Sequence, residues 1–235
     1  MKRLAFFVEG TTEVLFIETL IKIIAAEKEY VVIERATVKG GNRIPRQLNI
    51  FSNGNTSKID YYIIIINCQG DQQVKKRILE EHHNFTNLGY EKIIGMRDVR
   101  PTFQFFQIPK LQISIHENIN LALIPVEIIL STMEIESIFL GEPTHFDKIH
   151  PSITPSLIHA NLGFNPETED MELREEPSSD LSNCYAIAGK TYNKLLVQDT
   201  INALNFNLIH LEQPKRFKSL ERLVSNINSF FIPAI

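Results

Sequence analysis

Residues 3–13, Arg3-Leu4-Ala5-Phe6-Phe7-Val8-Glu9-Gly10-Thr11-Thr12-Glu13, join a short apolar run to a carboxylate, a glycine, two hydroxyl residues and a second carboxylate. The run from Arg3 to Val8 is aromatic, apolar and strand-sized, and it reads as a buried strand. Gly10 breaks it, and Thr11 and Thr12 offer N-cap hydroxyls to whatever helix follows. From Glu13 to Glu27 the positions Val14, Leu15, Phe16, Leu20, Ile21, Ile23 and Ile24 build a broad helical face, interrupted by Glu13, Glu18 and Lys22.

Outward from this stretch the alternation continues. Tyr30 to Val38 returns to β-branched residues and predicts a second strand, ended by Gly40-Gly41-Asn42 in a loop that carries Lys39, Arg43 and Arg46. Asp60 to Asn67 is nearly all apolar, as expected of a strand covered on both faces of a parallel sheet. Gly70-Asp71 leads into an amphipathic helix reaching about His83, with His82 and His83 expected in solvent. Lys92 to Met96 predicts a strand ending at Arg97-Asp98, and Val126 to Leu130 one running into Ser131-Thr132 and Met133-Glu134-Ile135-Glu136. Phe103 to His116 fits either helix or strand. The order predicts an α/β fold, a mostly parallel sheet flanked by helices.

Beyond Gly141 the texture changes. Pro143, Pro151, Pro155, Pro166 and Pro177 punctuate short helical pieces, and two longer helical patterns follow, Lys190 to Leu204 and Lys215 to Phe231. This predicts a core over residues 1–141 and a helical appendage over 142–235, packed on that core.

With 235 residues, 43% of them hydrophobic, there is material for a continuous core. The longest apolar run, Tyr61 to Ile66, is far too short to cross a membrane. Cys68 and Cys184 are too few for a disulfide framework or a zinc site, and no secretory pattern is present, so the cytoplasm is the expected address. Net charge is −4 but unevenly spread: residues 1–120 hold 16 Lys+Arg against 13 Asp+Glu, residues 121–235 hold 8 against 15. Seven of those acids lie in Glu167 to Asp180 with only Arg174 among them, a run expected to be solvated, dispensable for the fold and open to a protein partner.

Three expected strand ends carry acid. Glu9 ends the first strand before a glycine and a helix start, where open α/β sheets bind ligands; Glu13, one turn on, points back to the same crevice or supports the helix dipole. Asp98 ends a strand between Arg97 and Arg100, ahead of Pro101. Glu134 and Glu136 follow the last strand, where one of the two can face the crevice. Acids gathered at one sheet edge repel unless a divalent cation sits among them. Oxygen donors without Cys or His at metal spacing favour Mg2+ or Mn2+ over zinc. Asp71 is a further candidate, whereas His145 and His150 have no partner acid evident in sequence. Lys39, Arg43 and Arg46 suit a nucleic-acid backbone, or are ordinary exposed basic residues.

Val8-Glu9-Gly10-Thr11-Thr12-Glu13 with its apolar helix resembles the first motif of TOPRIM domains, in the form seen in nucleases related to the OLD family. Met133-Glu134-Ile135-Glu136-Ser137-Ile138-Phe139-Leu140 resembles a signature of small stand-alone TOPRIM proteins that accompany ATPases in bacterial defence, as does Gly189-Lys190-Thr191-Tyr192-Asn193-Lys194. The resemblance covers roughly residues 3–140. It implies a magnesium-dependent nuclease acting on DNA or RNA, with Glu9, Asp98 and Glu134 or Glu136 as metal ligands and Glu13 or Glu136 in the chemistry. Arg97, Arg100 and Lys194 then meet the nucleic acid, an ATPase keeps the nuclease silent in anti-phage defence, and a homodimer is open. The family pattern has a second aspartate where Arg100 stands. That departure keeps a non-catalytic adaptor open, beside primase-like nucleotidyl transfer on the same fold.

Overall fold

The computed structural model describes residues 1–26, 28, 30–41, 44–51, 59–70, 72–99 and 103–232, with backbone alone for 39–41, 44–51 and Phe105. It divides into two compact units, each described by itself below. The first takes in Met1–Asp98 and Phe103–Leu130, and the second has Ser131–Ile232 as its main part.

The first unit is built on strands β1 (Lys2–Val8), β2 (Val31–Gly41), β3 (Ile44–Phe51), β4 (Tyr61–Asn67), β5 (Lys92–Asp98) and β6 (Val126–Ser131), with helices α1 (Thr11–Ile24), α2 (Gln73–Asn87) and the short α3 (Ile108–Ser114). The sheet order is β3-β2-β4-β1-β5-β6. β1 pairs parallel with β4 on one side, Phe6 opposite Ile65, and with β5 on the other, Phe6 opposite Ile94. β2 is parallel to β4, and β3 is antiparallel to β2. The α/β architecture with a mostly parallel sheet is thus as expected. β3 is the correction: residues expected in a basic loop extend β2 into a hairpin, so Lys39 belongs to β2 and Arg46 to β3.

The chain leaves β1 through α1 in one direction along the sheet and leaves β4 through α2 in the other. Right-handed crossovers in opposite directions put the two helices on opposite faces. Alternation sends Ala5, Phe7, Ile64, Ile66 and Ile93 to one face, where they pack with Val74, Ile78 and Phe85 of α2. Leu4, Phe6, Val8, Ile63, Ile65, Ile94 and Met96 are buried on the other. Each of the larger of these side chains contributes about 1.5–3 kcal/mol by leaving water, which is why the central strands tolerate almost no polar residue. His82, expected in solvent, is buried, and its Nε2 lies 2.8 Å from the carbonyl of Ile124.

The second unit is helical: α4 (Glu136–Leu140), α5 (His145–Ile149), α6 (Pro155–Leu162), α7 (Pro177–Ala186), α8 (Val197–Ala203), α9 (Phe206–Leu211) and α10 (Lys218–Phe231). Gly141 closes α4 with an ordinary right-handed backbone (φ −73°), so its glycine serves space and not conformation. A Cβ there would stand 2.4 and 2.8 Å from ring atoms of the buried Phe217. Gly141→Ala is therefore expected to cost about 1–3 kcal/mol by overpacking, lowering the melting temperature by roughly 2–4 °C per kcal/mol. An unchanged melting curve would mean that the ring has room to move.

The acidic run is a second correction. It is docked, not merely solvated. Met171 is fully buried, the Glu172 carboxylate accepts from Ser219 Oγ at 3.0 Å, and the Glu169 carbonyl accepts from Arg216 at 2.9 Å. Arg174 answers two needs at once, donating to Asp180 at 2.7 and 3.1 Å and lying 4.2 Å over the Phe164 ring.

His145 has an acid beside it after all: the Glu142 carboxylate lies 3.9 Å from its Nδ1, and that nitrogen is 2.5 Å from the Glu142 carbonyl. Burial holds the imidazole neutral, lowering its pKa to about 4. Burial also raises Glu142, against hydrogen bonds from Thr144 and from the Asn205 amide. Between the ordinary histidine value and about pH 4 the unfolded chain takes up a proton that the folded chain refuses. The contribution of His145 is complete above about pH 6.5 and falls by roughly 3 kcal/mol on the way to pH 4. Glu142, raised, acts with the opposite sign and offsets part of this. His145→Phe should flatten the pH dependence of urea stability across this window. Parallel profiles for variant and wild type would show that the imidazole is not the group responsible.

Candidate active site

The first unit places Glu9 directly after β1 and Asp98 at the end of β5, on strands that are neighbours in the sheet. Both are buried, at 9% and 7% exposure. Glu9 is tied to both flanking strands. Its carbonyl accepts from Gly70 N–H at 2.9 Å on the β4 side, and its carboxylate Oε1 accepts from the backbone N–H of Asp98 on the β5 side. This is the crevice at the carboxyl ends of parallel strands where the sheet changes direction, β1 lying between the strand that precedes α2 and the strand that follows it.

Gly10 is extended (φ −149°, ψ −168°) and precedes α1 as its N-cap. Glu13 reaches back to accept from its N–H at 2.9 Å, and a Cβ on Gly10 would approach that same oxygen to 3.2 Å. Glu13 is thus held at the helix start, where the dipole favours a carboxylate. Next to the pair, burial above all pushes the Cys68 thiol up to about 12, so it is no nucleophile at neutral pH.

Arg97 precedes Asp98 and, by strand alternation, leaves the opposite face of the sheet. It is buried, its guanidinium lies 5.3 Å from the Phe103 ring, and its Nε has no hydrogen-bond partner among the described residues. Arg43, Arg100 and Asp71 lie outside the described residues. So do the side chains of Lys39 and Arg46.

The second unit holds the other expected acids. Glu136 is 1% exposed; its Oε1 accepts from the Tyr192 hydroxyl at 2.7 Å and stands 3.5 Å from Lys194 Nζ. Glu134 Oε1 lies 3.0 Å from the same ammonium, and its other oxygen accepts from Ser178 N–H at 3.3 Å. The two acids were expected to diverge, yet both meet one ammonium. Lys194, expected on nucleic acid, is engaged by carboxylates. Tyr192, which falls within the helical pattern expected from Lys190 to Leu204, is buried and organises Glu136; its signal in the sequence is an aromatic within a polar stretch.

Among the described residues no group of three or more His, Cys, Asp or Glu side chains is placed to hold a metal ion. Magnesium, however, is commonly held through one or two carboxylates with water and substrate phosphate completing the shell. Glu9 and Asp98, two hard-oxygen donors fixed at adjoining strand ends, fit that mode by donor chemistry. No described helix is long and apolar enough to cross a membrane.

No protein-family model matches the chain, and no curated protein matches it. Among solved structures it is similar to the crystal structure of a hypothetical protein from Pyrococcus horikoshii OT3. The two share 16% identity over 97% of this chain and 96% of that one, with a TM-score of 0.42. So distant a likeness leaves the site to be read from its own geometry.

Proposed function

We propose that this chain is a TOPRIM-like hydrolase that cleaves phosphodiester bonds of DNA or RNA with magnesium or manganese held by Glu9 and Asp98. The reading rests on one observation: two buried carboxylate residues end adjacent parallel strands, and the side chain of one is fixed by the backbone of the other. Two buried oxygen-donor residues at adjoining strand ends are of the kind a hard divalent cation takes. When bound, the ion supplies positive charge at the phosphate and a water of lowered pKa. The protein's own part is positioning. Glu9 is locked by its bonds to Gly70 and Asp98, so little reorganisation is needed when a phosphate arrives. Gly10 keeps the backbone beside Glu9 bare, and Arg97 offers charge at the same strand end from the opposite face of the sheet. An ATPase partner, cytoplasmic location and a role in anti-phage defence belong to the same proposal through the resemblance of the Glu9 and Glu134 to Glu136 stretches.

Magnesium titration followed by thermal melting tests it. A ligand at about 100 times its Kd adds roughly 2.7 kcal/mol to the folded state, a rise of several degrees that should appear with Mg2+ or Mn2+ and vanish with EDTA. A chain whose melting ignores the metal, and which cuts neither DNA nor RNA with its partner present, is an adaptor on the same fold.

A further inference from the structure

We infer that a groove at the start of α2 holds a single-stranded segment of the substrate beside the scissile bond, a step that rests on the nuclease reading and gives it a substrate form. The groove has a volume of about 680 Å³ and is lined by Gln72, Lys75 and Lys76 on the helix side and by Arg97 and Phe103 across from them. Its position on the chain is telling. Arg97 adjoins Asp98, so the groove lies at the strand end that carries the carboxylates, on the face of the sheet opposite to Asp98.

Three observations point to an anionic, ring-bearing ligand. The first turn of α2 contains no acid; Lys75 there donates to the Ser114 carbonyl at 2.7 Å, and the exposed Lys76 stands against the helix dipole. Cations at that end are unfavourable unless an anion joins them, and N-terminal amides with lysines suit a phosphate. Arg97 is 9% exposed and lines the groove, and its buried Nε has no hydrogen-bond partner among the described residues. Phe103, partly exposed, presents an aromatic ring at the wall, and three residues on Phe106 is 81% exposed. Glu80 also lines the groove, but Arg77 engages its carboxylate at 2.8 Å. Basic residues with an aromatic platform are how sequence-tolerant sites hold an unpaired strand, since every base offers a face to stack. A duplex hides those faces.

The test is fluorescence anisotropy of labelled oligo-dT and oligo-rU, and of a hairpin duplex, with full-length protein in EDTA so that nothing is cut. Wild type should bind the single strands more tightly than the duplex, with affinity falling as salt rises. Phe103→Ala should weaken single-strand binding about tenfold. Lys76→Glu, at an exposed position, should weaken it by at least as much and reduce the salt slope by about one. Melting curves like the wild type's would show both variants folded, and Arg97→Gln gives a third reading should either fail to fold. Groove variants that bind as wild type does, or a wild type that prefers the duplex, overturn the inference. Cleavage is scored separately with magnesium. If Glu9→Gln stops it while groove variants bind normally, the groove is wrong and the nuclease stands. If groove variants lose single strands and wild type cuts nothing, the groove stands and the nuclease falls.

Discussion

Glu9→Gln is expected to lower metal-dependent cleavage of nucleic acid at least about a hundredfold, the scale of losing a principal electrostatic contributor, while leaving the protein folded. The geometry makes this a clean substitution. The glutamine amide oxygen can still accept from Asp98 N–H, as Glu9 Oε1 does, so the tie between the β1 and β5 ends survives. What disappears is a negative charge held against the backbone of Asp98, a residue that is itself buried. In EDTA the variant should therefore melt at or above the wild-type temperature, because like-charge repulsion is relieved, and the gain on adding magnesium should be lost. If Glu9 is only a helix-terminus carboxylate, the signs reverse. Glu9→Gln then loses a few tenths to about 1 kcal/mol of dipole stabilisation and leaves metal response and cleavage untouched. Melting curves with and without magnesium, measured beside a cleavage assay, separate the two.

Deleting residues 167–180 is expected to abolish cooperative folding of the second unit. That reverses the expectation formed from charge alone. The deletion removes Met171, fully buried, and with it the Glu172–Ser219 and Arg216–Glu169 bonds and the Arg174 stack on Phe164. Met171→Ala alone should cost about 2–5 kcal/mol. Urea unfolding of the point variant and limited proteolysis of the deletion check this. A deletion that melts with the wild type would return the segment to the status of a solvated run.

The contrast shows where sequence is transparent and where it is not. β1, β4 and β5 were legible because a strand buried on both faces must be apolar throughout, as Ala5 to Val8 and Ile63 to Ile66 are. β3 was not, because Pro45, Arg46, Gln47 and Asn49 dilute its pattern, as an edge strand permits. Glu9 and Asp98 could be named from their positions at strand ends, but the bond that fixes one to the other spans 89 residues. The same holds for His82 with the Ile124 carbonyl and for Lys194 with Glu134. Such pairs are products of tertiary placement and leave no local pattern. Met171 was hidden differently: one apolar anchor amid seven acids is outweighed in any count of charge.

The strand order also has a consequence for how the chain is made. β1 precedes the other strands of its sheet along the chain, yet it occupies the interior of that sheet, between β4 and β5. Its partners are residues 61–67 and 92–95, so it cannot be enclosed until the chain has been extended some ninety residues beyond it. At about 5–20 residues per second the ribosome takes roughly 5–20 s to supply them. Until then Leu4 to Val8 keeps at least one apolar edge open, the form most prone to pair with a neighbouring nascent chain. Faster elongation between β1 and β5 would shorten this exposure, and a chaperone that recognises aromatic strands would find its target in β1.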